Sequence, residues 1–171
     1  MMTRGEYLRS FDRDMVALIL DDLTQRHVNI IPTSLPTELK KDSTGKIDVS
    51  IMDTTSKATS NMKFDTVLFA VGRTANTEGL NLKKVGVNVN PNNGKIVTKK
   101  DGLDKTSVGN IFALGDVVDG VPELTGTAQK AGRILARRLA ADLGVIKLTE
   151  KEYKTLNMDY KDYPTTVFTP L

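Results

Sequence analysis

The sequence predicts an α/β fold, on three observations. Residues 64–73 (FDTVLFAVGR) and 110–116 (NIFALGD) are short apolar runs without a side-chain period, each closing on glycine and a charged residue. That is the pattern of parallel strands covered on both faces. Residues 13–26 and 128–139 carry apolar side chains at helical spacing, and residues 35–52 alternate apolar and polar as an antiparallel pair does.

Taken in order, residues 6–12 (EYLRSFD) read as the tail of a strand running into a helix. Met15, Val16, Ile19, Leu20 and Leu23 then form one face over residues 13–26, with Asp12 or Ser10 as the cap. His27 sits at the end of that helix and reads as a surface residue. Residues 28–31 form a short strand. Residues 35–40 and 46–52 make a hairpin around the turn Asp42-Ser43-Thr44-Gly45, and the polar residues 54–61 form a second hairpin loop leading to Phe64. Pro91-Asn92-Asn93-Gly94 is a turn between two further short strands.

The stretch from Thr106 to Leu139 organises the chain. Its apolar run delivers Asp116 to a strand end, where Gly115 permits close approach of a backbone or a ligand and the carboxylate can accept hydrogen bonds from ligand hydroxyls. A helix then opens at Glu123-Leu124-Thr125-Gly126, with Thr125 as N-cap and Ala128, Ala131, Ile134, Leu135, Arg138 and Leu139 following at helical spacing. Acid, loop and helix start make a corner whose free N–H groups suit negative charge. An ordinary strand–loop–helix is the plainer alternative. After Leu139, residues 140–160 read as an insertion, with a capping box at Thr149 and Glu152 opening a short helix over 150–156.

Composition narrows the function classes. A chain of 171 residues makes one full-sized domain or parts of two, and a net charge of +3 from 24 basic and 21 acidic residues gives no nucleic-acid or membrane footprint. Lys83-Lys84, Lys99-Lys100 and Arg137-Arg138 read as solvated faces. No run reaches transmembrane length and the first residues begin no signal peptide, so a cytoplasmic location is expected. With no cysteine and a single histidine, the chain holds no disulfide, no thiolate nucleophile and no zinc-type ligand set.

Thr106 with Ile111-Phe112-Ala113-Leu114-Gly115-Asp116 resembles the second FAD fingerprint of the pyridine nucleotide–disulfide oxidoreductases. Four further phrases resemble the same family in its own order: Leu8-Arg9-Ser10-Phe11-Asp12, Gly72-Arg73-Thr74-Ala75-Asn76-Thr77, Glu123-Leu124-Thr125 and residues 163–171 (YPTTVFTPL). The last is similar to the thioredoxin and thioredoxin–glutathione reductase branch more than to glutathione reductases or dihydrolipoamide dehydrogenases.

The resemblance implies a fragment of a flavoprotein reductase fold with two dinucleotide-binding domains and a β-meander. Residues 1–73 would end the NAD(P)H-binding domain, 74–160 would form the returning part of the FAD-binding domain, and 161–171 would start the dimer-interface domain. It implies cofactor contacts at Asp116, Gly115, Glu123, Leu124, Thr125, Ala128, Gly72 and Arg73. Arg9 inherits a place near the nicotinamide–flavin junction, against its plainer reading as a surface arginine. No catalytic residue and no metal ligand is implied.

In the family FAD and NADPH serve a homodimer that reduces a thioredoxin-like or glutathione substrate, in the cytoplasm or the mitochondrion. This chain holds neither glycine-rich dinucleotide turn, nor the redox dithiol, nor the histidine base, and has Gly126 where the family usually has proline. The expectation is half of a flavin site, inactive alone. The rival readings are a non-catalytic module that pairs with full-length reductase, and a fragment of the glutathione reductase or dihydrolipoamide dehydrogenase type.

Overall fold

The computed structural model describes residues 1–169, so Pro170 and Leu171, the end of the YPTTVFTPL phrase, lie outside the described residues. The described residues divide into two compact units, one comprising residues 1–71 with 167–169, the other residues 72–166.

In the first unit, helix α1 spans Arg13–Gln25 and buries Val16. Asp12 is its N-cap, accepting from the N–H groups of Asp14 at 3.0 Å and Met15 at 3.1 Å. Its C-terminal end is a Schellman motif: the His27 N–H donates to Thr24 O, and the Val28 N–H to Leu23 O. His27, exposed, takes the left-handed conformation there at φ +62°.

Three antiparallel strands follow, β1 (Ser34–Lys41), β2 (Ile47–Asp53) and β3 (Thr59–Phe64), in the order β1-β2-β3. Alternate β2 residues Val49 and Ile51 supply the buried face. On the β1 edge the register skips Thr37 between Pro36 and Glu38, a bulge beside a residue that cannot donate to a ladder. Each hairpin turn is wound around an aspartate. Asp42 accepts from the Thr44 and Lys46 N–H groups and the Thr44 hydroxyl. Asp53 does the same for the Thr55 and Ser56 N–H groups. The second loop is shorter than its polarity suggested, because Thr59, Ser60 and Asn61 already pair with β2.

Three expected strands of this unit do not form among the described residues. Residues 7–10 form a turn, because the Arg13 guanidinium takes the carbonyls of Tyr7 and Leu8 and the Phe11 N–H returns to Leu8 O. Strand-like pairing falls instead to Met2 and Ile31, and this single parallel bridge is all that forms of the strand expected over 28–31. Beyond β3, residues 66–71 carry no regular secondary structure and no ladder partner among the described residues, leaving Leu68 87% and Val71 86% exposed. A parallel strand needs a neighbour to pair with, and none is supplied among the described residues.

The second unit is built on short turns and two helices. Glu78–Leu80 and Leu82–Val85 are 3-10 turns. Ile96 is its hub: it bridges Val89 antiparallel across the expected turn at 91–94, and Val118 parallel. Val87, Ile96, Ala113 and Val118 form the core, with Leu82, Val108, Ile111, Val117 and Val121 packed around it. The run 110–116 is not a ladder strand. Phe112 makes one antiparallel bridge with Lys105, and the chain then enters a 3-10 turn at Gly115–Val117. Helix α2 (Thr125–Asp142) buries Thr127, Ala131, Leu135 and Arg138, one stripe at helical spacing. Helix α3 (Glu150–Lys154) opens with the capping box of Thr149 and Glu152. Among the described residues no helix is long and apolar enough to cross a membrane.

Candidate functional site

The site is built where the 3-10 turn Gly115–Val117 packs against the first turn of α2. Gly115 has φ +71°, and a Cβ built on it would stand 3.2 Å from the Ala128 Cβ. Glycine is required twice over, by the backbone and by the helix behind it. The next residue, Asp116, points its carboxylate to an exposed position with no hydrogen-bond partner among the described residues.

Helix α2 begins without a cap. Leu124, not Thr125, occupies the N-cap, in an extended conformation with φ −130° and ψ 131°, and its apolar side chain caps nothing. Thr125 is already helical, so its hydroxyl cannot serve the turn as expected. The first helical bond runs from the Ala128 N–H to Leu124 O at 3.0 Å. The N–H groups of Thr125, Gly126 and Thr127 therefore have no acceptor among the described residues.

The neighbouring acids are engaged. Glu123 pairs with Lys95 at 2.5 Å, and Lys95 is largely buried beneath it. Asp119 accepts from the side-chain amides of Asn93 at 2.8 Å and Asn90 at 3.0 Å, and these bonds hold its carboxyl below the usual carboxylate range. They tie the 90–94 turn to the site. Sequence reasoning missed Asn90, Asn93 and Lys95, because a loop asparagine carries no local mark of a partner 26 to 29 residues away.

The structure thus brings Gly115, Asp116, Glu123, Leu124, Thr125 and Ala128 to one corner. Gly72, at φ +122°, and the exposed Arg73 share the unit, but among the described residues no hydrogen bond or ion pair links them to that corner. Arg9 is an exposed turn residue of the other unit. An open groove of about 490 Å³, lined by residues 98–102, 119–121 and 157–161, contains none of these candidates. Among the described residues no group of three His, Cys, Asp or Glu side chains can hold a metal ion.

A free carboxylate and three unpaired helix-start N–H groups on adjoining turns fit a ligand with hydroxyls at one place and partial negative charge at another.

Comparisons with known proteins identify the family. The family model described as pyridine nucleotide-disulphide oxidoreductase matches residues 1–132. Thioredoxin reductase 2, mitochondrial, of Drosophila melanogaster is 40% identical over 171 residues, covering all of this chain and 30% of that protein. A thioredoxin reductase of Plasmodium falciparum is 39% identical over 168 residues, 98% of this chain and 28% of that protein. The crystal structure of T. acidophilum thioredoxin reductase superposes with a TM-score of 0.62 at 27% identity, covering 74% of this chain and 40% of that one.

The fold is part of that of the flavoprotein reductases with two dinucleotide-binding domains. The chain belongs to the pyridine nucleotide–disulphide oxidoreductase family, and its similarity runs to the thioredoxin reductases. It spans less than a third of the length of the curated relatives named here.

Proposed function

We propose that this chain carries the returning half of an FAD site in an NADPH-dependent disulfide reductase of the thioredoxin reductase type. Residues 1–73 would close the NADPH-binding domain, 74–160 would belong to the FAD-binding domain, and 161–171 would lead into a dimer interface. The observation that carries the reading is the juxtaposition of the exposed Asp116 carboxylate with the uncapped start of α2.

FAD, when bound, supplies the two-electron chemistry that links a reduced nicotinamide to a disulfide. The chain's own part is to hold it. Asp116 would accept hydrogen bonds from ribityl hydroxyls, and the N–H groups of Thr125, Gly126 and Thr127 would favour negative charge at the pyrimidine edge. Gly126 leaves this helix start less pre-organised than proline would. With no cysteine in 171 residues, the dithiol must come from elsewhere, as must the partner reduced, a thioredoxin-like protein or glutathione.

Alone, the chain is expected to bind FAD weakly or not at all and to reduce no disulfide. An absorbance spectrum of the purified chain, with and without added FAD, tests this; stoichiometric bound flavin sinks it. A second reading, a non-catalytic module that pairs with full-length reductase, is favoured by residues 66–71, largely exposed and without a ladder partner among the described residues. Co-expression with an N-terminal complement separates the two. Restored NADPH-dependent disulfide reduction supports the enzyme reading, and a stable, inactive complex supports the module.

A further inference from the structure

Residues 140–160 read as an insertion without a role, yet their last five residues are fixed into the second unit by some of its most buried polar groups. Leu156 and Met158 are buried, and the Met158 N–H donates to Gly102 O at 2.8 Å. No side chain fits at Gly102, where a Cβ would come within 2.6 Å of Met158 O. Arg138, only 2% exposed, reaches out of α2 and donates to both sides of this seam: to Leu156 O at 2.8 Å and to Leu103 O. The Tyr160 hydroxyl donates to Asp104 Oδ1 at 2.6 Å. Residues 156–160 are therefore a strap laid along residues 102–104.

Asp104 is where the strap meets the site. It is 1% exposed and holds φ +54°, a left-handed conformation that aspartate tolerates and alanine resists. From that conformation its carbonyl accepts the Ala113 N–H at 3.0 Å, followed by the Lys105–Phe112 bridge and the Thr106 N–H bond to Ile111 O. Ala113 stands three residues before Asp116. Helix α2 grips the same segment at both ends, with Arg138 on Leu103 and Ala128 on Gly115. Those two helix positions lie about 15 Å apart at 1.5 Å per residue.

We propose that Tyr160 and Asp104 are positioning residues for the Asp116 turn: the strap holds Asp104 in its left-handed conformation, and Asp104 thereby fixes the segment that presents Asp116. Only the functional meaning rests on the FAD reading above. The coupling itself is tested without FAD.

The test is amide hydrogen exchange by NMR on the whole chain, compared among the wild type, Tyr160→Phe, Asp104→Asn and Asp104→Ala. Tyr160→Phe and Asp104→Ala are expected to speed exchange at both Met158 and Ala113 at least tenfold, leaving Ile96 unchanged. Asp104→Asn, which tolerates the left-handed backbone and keeps an acceptor for Tyr160, is expected to preserve protection at both. Unchanged exchange at Ala113 in Tyr160→Phe overturns the coupling. So does equal loss at Ile96, because the role is then one of general stability. Should Asp104→Ala fail to fold, Tyr160→Phe, which removes one hydroxyl, decides alone. A colourless chain that shows the coupling speaks only to weak cofactor binding, and a flavin-binding chain without it only against the strap.

Discussion

Gly115 and Ala128 meet so closely that a methyl group on the glycine would begin 3.2 Å from the alanine side chain. The contact sets the Asp116 turn against the helix start, so the site's geometry depends on the absence of one Cβ. Gly115→Ala adds left-handed strain at φ +71° to that steric conflict. The expected loss is about 1–3 kcal/mol in unfolding free energy. Urea denaturation checks it. A double-mutant cycle with Ala128→Gly should show coupling between the two, because removing the second Cβ relieves the steric part and leaves the backbone strain. Strict additivity would mean that the two residues do not touch in solution.

Arg138 gives a second prediction. Its guanidinium satisfies two carbonyls on either side of the seam, one in the strap and one in residues 102–104, a task that needs a planar fork. Arg138→Met keeps the stem and removes the donors, and should destabilise the chain by about 2–4 kcal/mol by orphaning buried polar groups. Arg138→Lys should recover only part of the loss. Thermal unfolding of both variants checks the order, and a lysine variant as stable as the wild type would show that charge, not the fork, matters.

Legibility from sequence followed the range of the physics. The α1 cap at Asp12, the Asp42 turn and the Thr149 capping box are bonds between a side chain and backbone within a few residues, and each formed where its residues predicted it. The two apolar runs are different. Their parallel pairing needs partner strands, and among the described residues 66–71 find none while residues 111–113 find only a local antiparallel bridge. The adjacency of Gly115, Asp116 and the start of α2 was legible because they are near neighbours in the chain, whereas the strand and the Thr125 cap expected there did not form. Arg138 was misread as solvated on its charge alone. Its place on the stripe with Thr127, Ala131 and Leu135 was the available signal, but the carbonyls it serves, 18 and 35 residues away, carry none.

The meander should weaken in acid. The Lys63 ammonium and the Thr44 bonds hold the Asp42 carboxyl well below the usual carboxylate range, and the Ser56 N–H, with the Thr33 hydroxyl, lowers Asp53 to about 2. A carboxyl whose folded pKa is depressed contributes stability above its unfolded value and loses it as pH falls through the folded one. The window therefore runs from about pH 4, the unfolded carboxylate value, down to about pH 2 for Asp53 and lower for Asp42. Exchange protection at Val49 and Ile51 should decline across it. Asp53→Asn should flatten that decline and weaken the meander at neutral pH; an acid limb of unchanged slope would remove Asp53 from the account.

The single histidine offers a stabilising change. His27 occupies the position of a Schellman motif that glycine usually fills, at φ +62°, and its side chain is exposed. An L residue there bears a left-handed penalty of about 1 kcal/mol that glycine does not. Glycine also loses more backbone freedom on folding, which offsets part of the gain. His27→Gly should raise stability by about 0.5–1 kcal/mol, read as a higher urea midpoint with an unchanged slope. A Cβ-bearing control, His27→Ala, should not stabilise, because it removes the imidazole and keeps the strain. If both variants gained equally, the imidazole rather than the backbone would be the source of the cost.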